Sequence, residues 1–140
     1  MKIVVTSHGN LCEGILSSYQ MIAGDSACFI AVKLDESGIG DFSARLTQTL
    51  DQLLTEQNGV IVLSDIVGGT PYNETLRYAL AHPDRVFLIA GLNLPMLIQA
   101  GTALEEAGDI QAAVQSIVEV AQSAVTLAKT AIDSDDSLDF

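Results

Sequence analysis

Two residues of this chain are suited to do chemistry together, His8 and Asp65, although 57 positions separate them. Each follows a short apolar, β-branched run: Ile3-Val-Val5 leads to Thr6-Ser7-His8, and Val60-Ile-Val-Leu63 leads to Ser64-Asp65. Runs of that kind fill strands covered on both faces. In open α/β sheets the residues leaving the carboxyl ends of neighbouring strands meet in a crevice. A carboxylate that accepts a hydrogen bond from one imidazole nitrogen fixes the tautomer and turns the other nitrogen's lone pair outward. His8 would then act as a general base or as a nucleophile. Taken alone, Asp65 would serve equally well as a cap for the loop that follows it.

Gly68-Gly69-Thr70-Pro71 adds what a simple base does not need. Two glycines let backbone approach a ligand closely, and their amides precede a helix start whose dipole favours an anion. The Thr70 hydroxyl can donate to the same anion, and Gly9 and Asn10 offer a second set of donors. Together these residues describe a small anion pocket around a histidine, suited to a phosphoryl group on an imidazole nitrogen. Other chemistries lack their residues. Neither GxxxxGK[ST] nor a first-loop GxGxxG occurs, so neither familiar nucleotide site is present. The 2 histidines have no Cys or Glu at ligand spacing, so no metal and no cofactor is expected. Ser7 adjoins His8 in an extended stretch, where neighbours point to opposite sides, and is not its partner. His82, in His-Pro-Asp, reads as a cation at a helix carboxyl end.

The totals narrow the partners. With 6 Lys and Arg against 18 Asp and Glu, the net charge is −12, which opposes binding to nucleic acid or an anionic membrane and suits a partner with a basic patch. Hydrophobic residues make up 49% of the 140 residues and mean hydropathy is +0.36, as in a globular core-former. Residues 1–132 read as one domain, and the acidic end, 133–140, as a frayed, disordered tail. No leader pattern and no membrane-length apolar run is visible, so a cytoplasmic location without membrane insertion is expected. Cys12 and Cys28 form no CxxC pair and read as buried, reduced thiols.

Four strands and five helices must position these residues. A helical stripe Leu11, Ile15, Tyr19, Ile22, which also takes in Cys12 and Leu16, follows the first strand, and Gly24-Asp25 ends it. The second strand covers 29–32. Phe42, Leu46, Leu50, Leu53 and Leu54 mark a second helix, closed by Asn58-Gly59 as a left-handed cap. Val60-Leu63 is the central third strand. Thr70 reads as an N-cap with Pro71 at the first helical position, and that helix runs through Leu76 and Leu80 to His82. Val86–Ala90 is the fourth strand, followed by helices to about Ala107 and from Ile110 to Val125. Strict alternation predicts a doubly wound α/β fold: a mostly parallel four-stranded sheet, order 2-1-3-4, with helices on both faces.

Three segments carry a family resemblance. Val5-Thr-Ser-His-Gly9, Asp65-Ile-Val-Gly-Gly-Thr-Pro-Tyr-Asn73 and Gly91-Leu-Asn-Leu-Pro-Met96 fall on three loop ends, and the chain over about 1–130 resembles the IIA component of the mannose-family sugar phosphotransferase system. By that resemblance His8 is transiently phosphorylated and Asp65 is its hydrogen-bond partner. Thr70 stands where the family has a Ser or Thr at the phosphoryl site, and Asn93, Pro95 and Met96 form its remaining wall. The resemblance also implies a homodimer with a fifth strand exchanged between subunits. It implies receipt of phosphate from phospho-HPr, the small histidine phosphocarrier, and delivery to a separate IIB component serving the IIC and IID membrane subunits. Two other readings use the same residues: the phosphoryl-transfer subunit of a dihydroxyacetone kinase system, and a non-catalytic regulatory module that binds a small anion. A hydrolase built on His8 and Asp65 would lack both a metal and a separate nucleophile.

Overall fold

The computed structural model describes residues 1–130. Valine- and isoleucine-rich runs form the strands β1 (Ile3–His8), β2 (Phe29–Leu34), β3 (Val60–Ser64) and β4 (Val86–Ala90). Between and after them lie α1 (Leu11–Ala23), α2 (Ile39–Glu56), α3 (Thr70–Ala81), α4 (Leu94–Ala107) and α5 (Ile110–Ser123). The sheet has the expected order, β2-β1-β3-β4, and every pairing is parallel. Val5 of β1 stands opposite Ala31 of β2 and Leu63 of β3, so the inner strands are held in register on both sides.

Two-residue alternation divides the core into two layers. Ile3, Val5, Ile61 and Leu63 point to the face covered by α1, α4 and α5, where Tyr19, Met96, Leu97 and Ile117 meet them. Val4, Val60 and Val62 point the other way, onto Phe42, Leu46, Leu50 and Leu53 of α2 and onto Tyr78 and Ala79 of α3. Parallel strands need crossovers, and these helices supply them while removing both apolar faces from water. Because every strand runs the same way, the loops that follow all four emerge at one end of the sheet. The two inner strands, β1 and β3, end there side by side.

Three expectations are corrected. The buried face of α1 is Cys12 and Tyr19, with Ile15 and Leu16 partly covered, whereas Leu11 and Ile22 are exposed. On α3 the buried residues are Pro71 and Thr75, while Leu76 and Leu80 face outward, Leu80 at 74% exposure. Hydrophobicity marks an apolar residue but not the side on which the sheet lies. The third correction concerns the end of α2, where Gln57 is extended (φ −143°) and no left-handed glycine follows. Arg85 does the capping: its guanidinium donates to the carbonyls of Leu54 (2.8 Å) and Asn58 (3.0 Å). Gly59 is needed for space instead, since a Cβ there would lie 2.9 Å from Ile110 Cδ1.

The sheet of the described residues has four strands; an exchanged fifth strand is not among them. The acidic stretch 133–140 lies outside the described residues.

Candidate functional site

His8 is the last residue of β1, and Asp65 is the first residue after β3, its neighbour in the sheet. The topology closes the gap of 57 residues to a hydrogen bond. His8 Nδ1 lies 2.7 Å from Asp65 Oδ2, and the same oxygen accepts the His8 backbone N–H at 2.9 Å. The second carboxylate oxygen accepts the Ile66 N–H at 2.9 Å, so Asp65 also caps its own loop. Both readings of Asp65 hold at once. Burial works against its charge, but the amide and imidazole of His8 and the Ile66 amide outweigh it and hold the carboxyl below its ordinary range. An ionised carboxylate can only accept, so Nδ1 carries the ring proton and the lone pair sits on Nε2. The His8 side chain is 49% exposed and that of Asp65 10%: the imidazole faces solvent while its partner is enclosed.

The loop after Asp65 is fitted against the imidazole. A Cβ on Gly69 would lie 2.6 Å from His8 Cε1 and 3.3 Å from Nε2, so only glycine allows this approach. Gly68 takes a left-handed conformation (φ 83°), and its carbonyl accepts Asn73 Nδ2 at 3.0 Å, which pins the turn to α3. The first intrahelical bond of α3 runs from Asn73 N–H to Gly69 O. The Gly69 N–H turns back to Ile66 O at 3.4 Å, contrary to the expectation that it faces an anion, and Pro71 has no N–H, so the amides without an intrahelical acceptor are those of Thr70 and Tyr72. Gly69 occupies the N-cap position and Thr70 is the first helical residue, with no side-chain cap bond. This corrects the expectation that Thr70 caps the helix. Its hydroxyl is spared that role.

Other anticipated site residues are placed differently. The Gly9 N–H donates to Leu34 O at 2.7 Å, and the Asn10 Oδ1 accepts Lys33 Nζ at 2.9 Å beside Glu13. Both groups therefore tie the turn to β2. Asn93 caps α4 by accepting the Met96 N–H at 2.9 Å and donates Nδ2 to Ala121 O at 3.1 Å. Asn93 and Met96 line a groove of about 460 Å³ along β4, which Val67 and Tyr72 also border, whereas Pro95, the second residue of α4, is not among its lining residues.

Sequence reasoning overlooked Ile66, whose Cγ2 would lie 3.1 Å from that same Cβ on Gly69. Ile66 and Val67 are exposed, as are Leu11 and Ile39 at the starts of α1 and α2. All four follow strands and so lie at the His8 end. Two adjacent apolar residues in an otherwise polar loop were the available signal.

Comparison with known proteins bears on this geometry. The family described as "PTS system fructose IIA component" (EIIA-man) matches residues 2–118. The chain belongs to the EIIA-man family. The match runs from β1 into α5 and takes in His8, Asp65 and the Gly68–Thr70 turn. The chain is 32% identical over 100 residues to the fructose-specific EIIA component of Bacillus subtilis (strain 168), covering 71% of this chain and 67% of that one. It is 27% identical over 134 residues to the mannose-specific EIIAB component of Escherichia coli (strain K12), covering 92% of this chain but 40% of that relative. Among solved structures, the mannose/sorbose-specific IIA subunit from Enterococcus faecalis superposes with a TM-score of 0.78 at 29% identity, over 95% and 98% of the two chains. The IIA protein of the fucose utilisation operon from Streptococcus pneumoniae gives 0.74 at 30% identity, over 90% and 91%. As an EIIA-man domain, the chain is a component of a sugar phosphotransferase system. Among its described residues no helix is long and apolar enough to cross a membrane, and no cluster of potential metal ligands occurs.

Proposed function

We propose that this EIIA-man chain is a phosphocarrier that takes a phosphoryl group from phospho-HPr onto His8 and passes it to a IIB component for sugar uptake and phosphorylation. The observation that carries this reading is the two-sided setting of the imidazole. Asp65 holds Nδ1–H at 2.7 Å, and Nε2 is turned toward Gly69 at the start of α3. In the forward step the Nε2 lone pair attacks phosphorus in line. The P–N bond to the donor imidazole breaks, and its electron pair returns to the donor. The proton on Nδ1 stays in place, and the Asp65 carboxylate balances positive charge developing on the ring. Helix-start amides of α3 and the Thr70 hydroxyl stabilise the equatorial oxygens during transfer. Delivery to IIB is the same step reversed, with Nε2 as leaving group. No metal or cofactor takes part in this scheme.

The surroundings suit a protein partner. Leu11, Ile39, Ile66 and Val67 give the His8 end an exposed apolar surface, and a net charge of −12 favours a carrier with a basic face. The IIC and IID membrane subunits would complete the system, with this chain on its cytoplasmic side. A homodimer is part of the proposal. The edge of β4, unpaired among the described residues, together with exposed Val125 and Leu127 beyond α5, offers the apolar surface a second copy would cover.

The test is phosphorylation with phosphoenolpyruvate, enzyme I and HPr, followed by intact mass and peptide mapping. The expected product carries one acid-labile phosphate on His8, absent from His8→Ala. Failure of the wild-type chain to become labelled by an active carrier from the same organism would overturn the proposal.

A further inference from the structure

We propose that Ser7 is a positioning residue for the His8 acceptor, an inference that rests on the phosphocarrier reading. Ser7 is fully buried and lies on the α1 side of β1, away from the imidazole. Its hydroxyl donates to the Gly9 carbonyl at 3.0 Å and accepts the Cys12 N–H at 2.8 Å. It therefore does what Asn10 does not: Asn10 stands at the N-cap of α1 but makes no capping bond, because Lys33 holds its side-chain oxygen. The cap of this helix comes from the preceding strand, across the turn that bears His8.

The consequence is a turn tied on three sides. The His8 N–H goes to Asp65 after β3, the Gly9 N–H goes to Leu34 at the end of β2, and the Gly9 carbonyl goes to Ser7 beside the start of α1. Clearance at the ring is small, since the Gly69 backbone approaches Cε1 too closely for any side chain. A nucleophile in such a setting tolerates little movement: misplacement by about 1 Å costs roughly 10²-fold in rate. Removing the Ser7 hydroxyl frees a buried Cys12 amide and leaves the Gly9 carbonyl only the long contact from Cys12 Sγ at 4.0 Å. The turn then relaxes, and the Nδ1–Asp65 bond that orients Nε2 loosens with it.

The experiment compares Ser7→Ala, Ser7→Cys and Ser7→Thr with wild type, using Ile117→Val in α5 as a distant core variant of comparable stability loss. Single-turnover transfer from phospho-HPr should slow about tenfold in Ser7→Ala and Ser7→Cys, with the half-saturating carrier concentration unchanged. Ser7→Thr, which keeps the hydroxyl, should transfer within about twofold of wild type, and Ile117→Val should match wild type. Nitrogen-15 spectra of the His8 ring should show the Nδ1–H form in wild type and a mixture of tautomers in Ser7→Ala. A Ser7→Ala protein as fast as Ile117→Val, with an unchanged ring spectrum, would overturn the inference. If phospho-HPr leaves the wild type unlabelled, the phosphocarrier reading fails on its own. The ring spectra then still decide whether Ser7 orients His8, and an unaltered tautomer in Ser7→Ala rejects it.

Discussion

Oδ2 of Asp65 accepts two hydrogen bonds from a single residue, the backbone amide of His8 at 2.9 Å and its imidazole Nδ1 at 2.7 Å. One carboxylate oxygen thus fixes both where His8 leaves β1 and which way its ring is turned. Asp65→Asn keeps the size of the side chain but removes the charge, and its amide can present a donor to Nδ1 and shift the ring proton to Nε2. Phosphoryl transfer to His8 should fall on the order of 10²–10⁴-fold, measured by rapid-quench labelling. Labelling at the wild-type rate would mean that the carboxylate does not activate the ring.

Gly69 and Gly68 should separate by mechanism. Gly69→Ala places a methyl group 2.6 Å from His8 Cε1 and 3.1 Å from Ile66 Cγ2, so the imidazole must move. Gly68→Ala meets no atom within 4 Å and suffers only from its left-handed backbone (φ 83°). The first should lose transfer at least tenfold while remaining folded. The second should lose about 1 kcal/mol of stability, seen as a lower urea midpoint, with a smaller loss of transfer. Equal losses of transfer in both variants would rule out the steric account of Gly69.

Much of this site was legible because two periodicities and one topological rule suffice to build it. Uninterrupted apolar, β-branched runs located β1 and β3, and the parallel order placed their carboxyl ends side by side, bringing His8 to Asp65. What escaped was set by neighbours rather than by local pattern. Leu76 and Leu80 looked like the buried face of α3, yet Thr75 fills that place with its hydroxyl satisfied by Pro71 O at 2.8 Å. The strand pattern turns Ser7 away from His8 and says nothing more of it; its contact with Cys12 depends on how α1 returns over β1. Asn58-Gly59 had the composition of a left-handed cap, but an arginine 27 residues away from Asn58 supplies the cap instead. Composition reports a residue's preference. It does not report which distant group will satisfy it.

The depressed carboxyl of Asp65 ties stability to pH. Burial opposes its charge, and the bonds from His8 and Ile66 more than offset this, so the folded state binds the Asp65 proton less tightly than the unfolded chain does. Stability from this group is fully present above the ordinary aspartate value, about 3.9, and is lost as pH falls through the lower folded value. The urea midpoint of the wild type should therefore decline more steeply below about pH 4 than that of Asp65→Asn, and the two curves should converge at the acid end. Parallel curves across that window would show that Asp65 is not the linked group.

Arg85 offers a test of stability that leaves the chemistry alone. It precedes β4, and its side chain reaches the carboxyl end of α2 to donate to Leu54 O at 2.8 Å and Asn58 O at 3.0 Å. Its backbone carbonyl meanwhile accepts the Val60 N–H at 2.8 Å, so one residue joins the end of α2 to the start of β3. Arg85→Ala leaves the last helix carbonyls without their donor and removes a cation from the negative end of the helix dipole. A loss of about 1–2 kcal/mol is expected from charge-assisted bonds at a half-buried position. Arg85→Lys should recover little of it, because an ammonium cannot span both carbonyls as the planar guanidinium does. These bonds lie at the amino-terminal end of β3, opposite to His8, so phosphoryl transfer at saturating carrier should stay at the wild-type rate. A loss of transfer in step with the loss of stability would mean that the end of α2 is coupled to the His8 turn through the sheet.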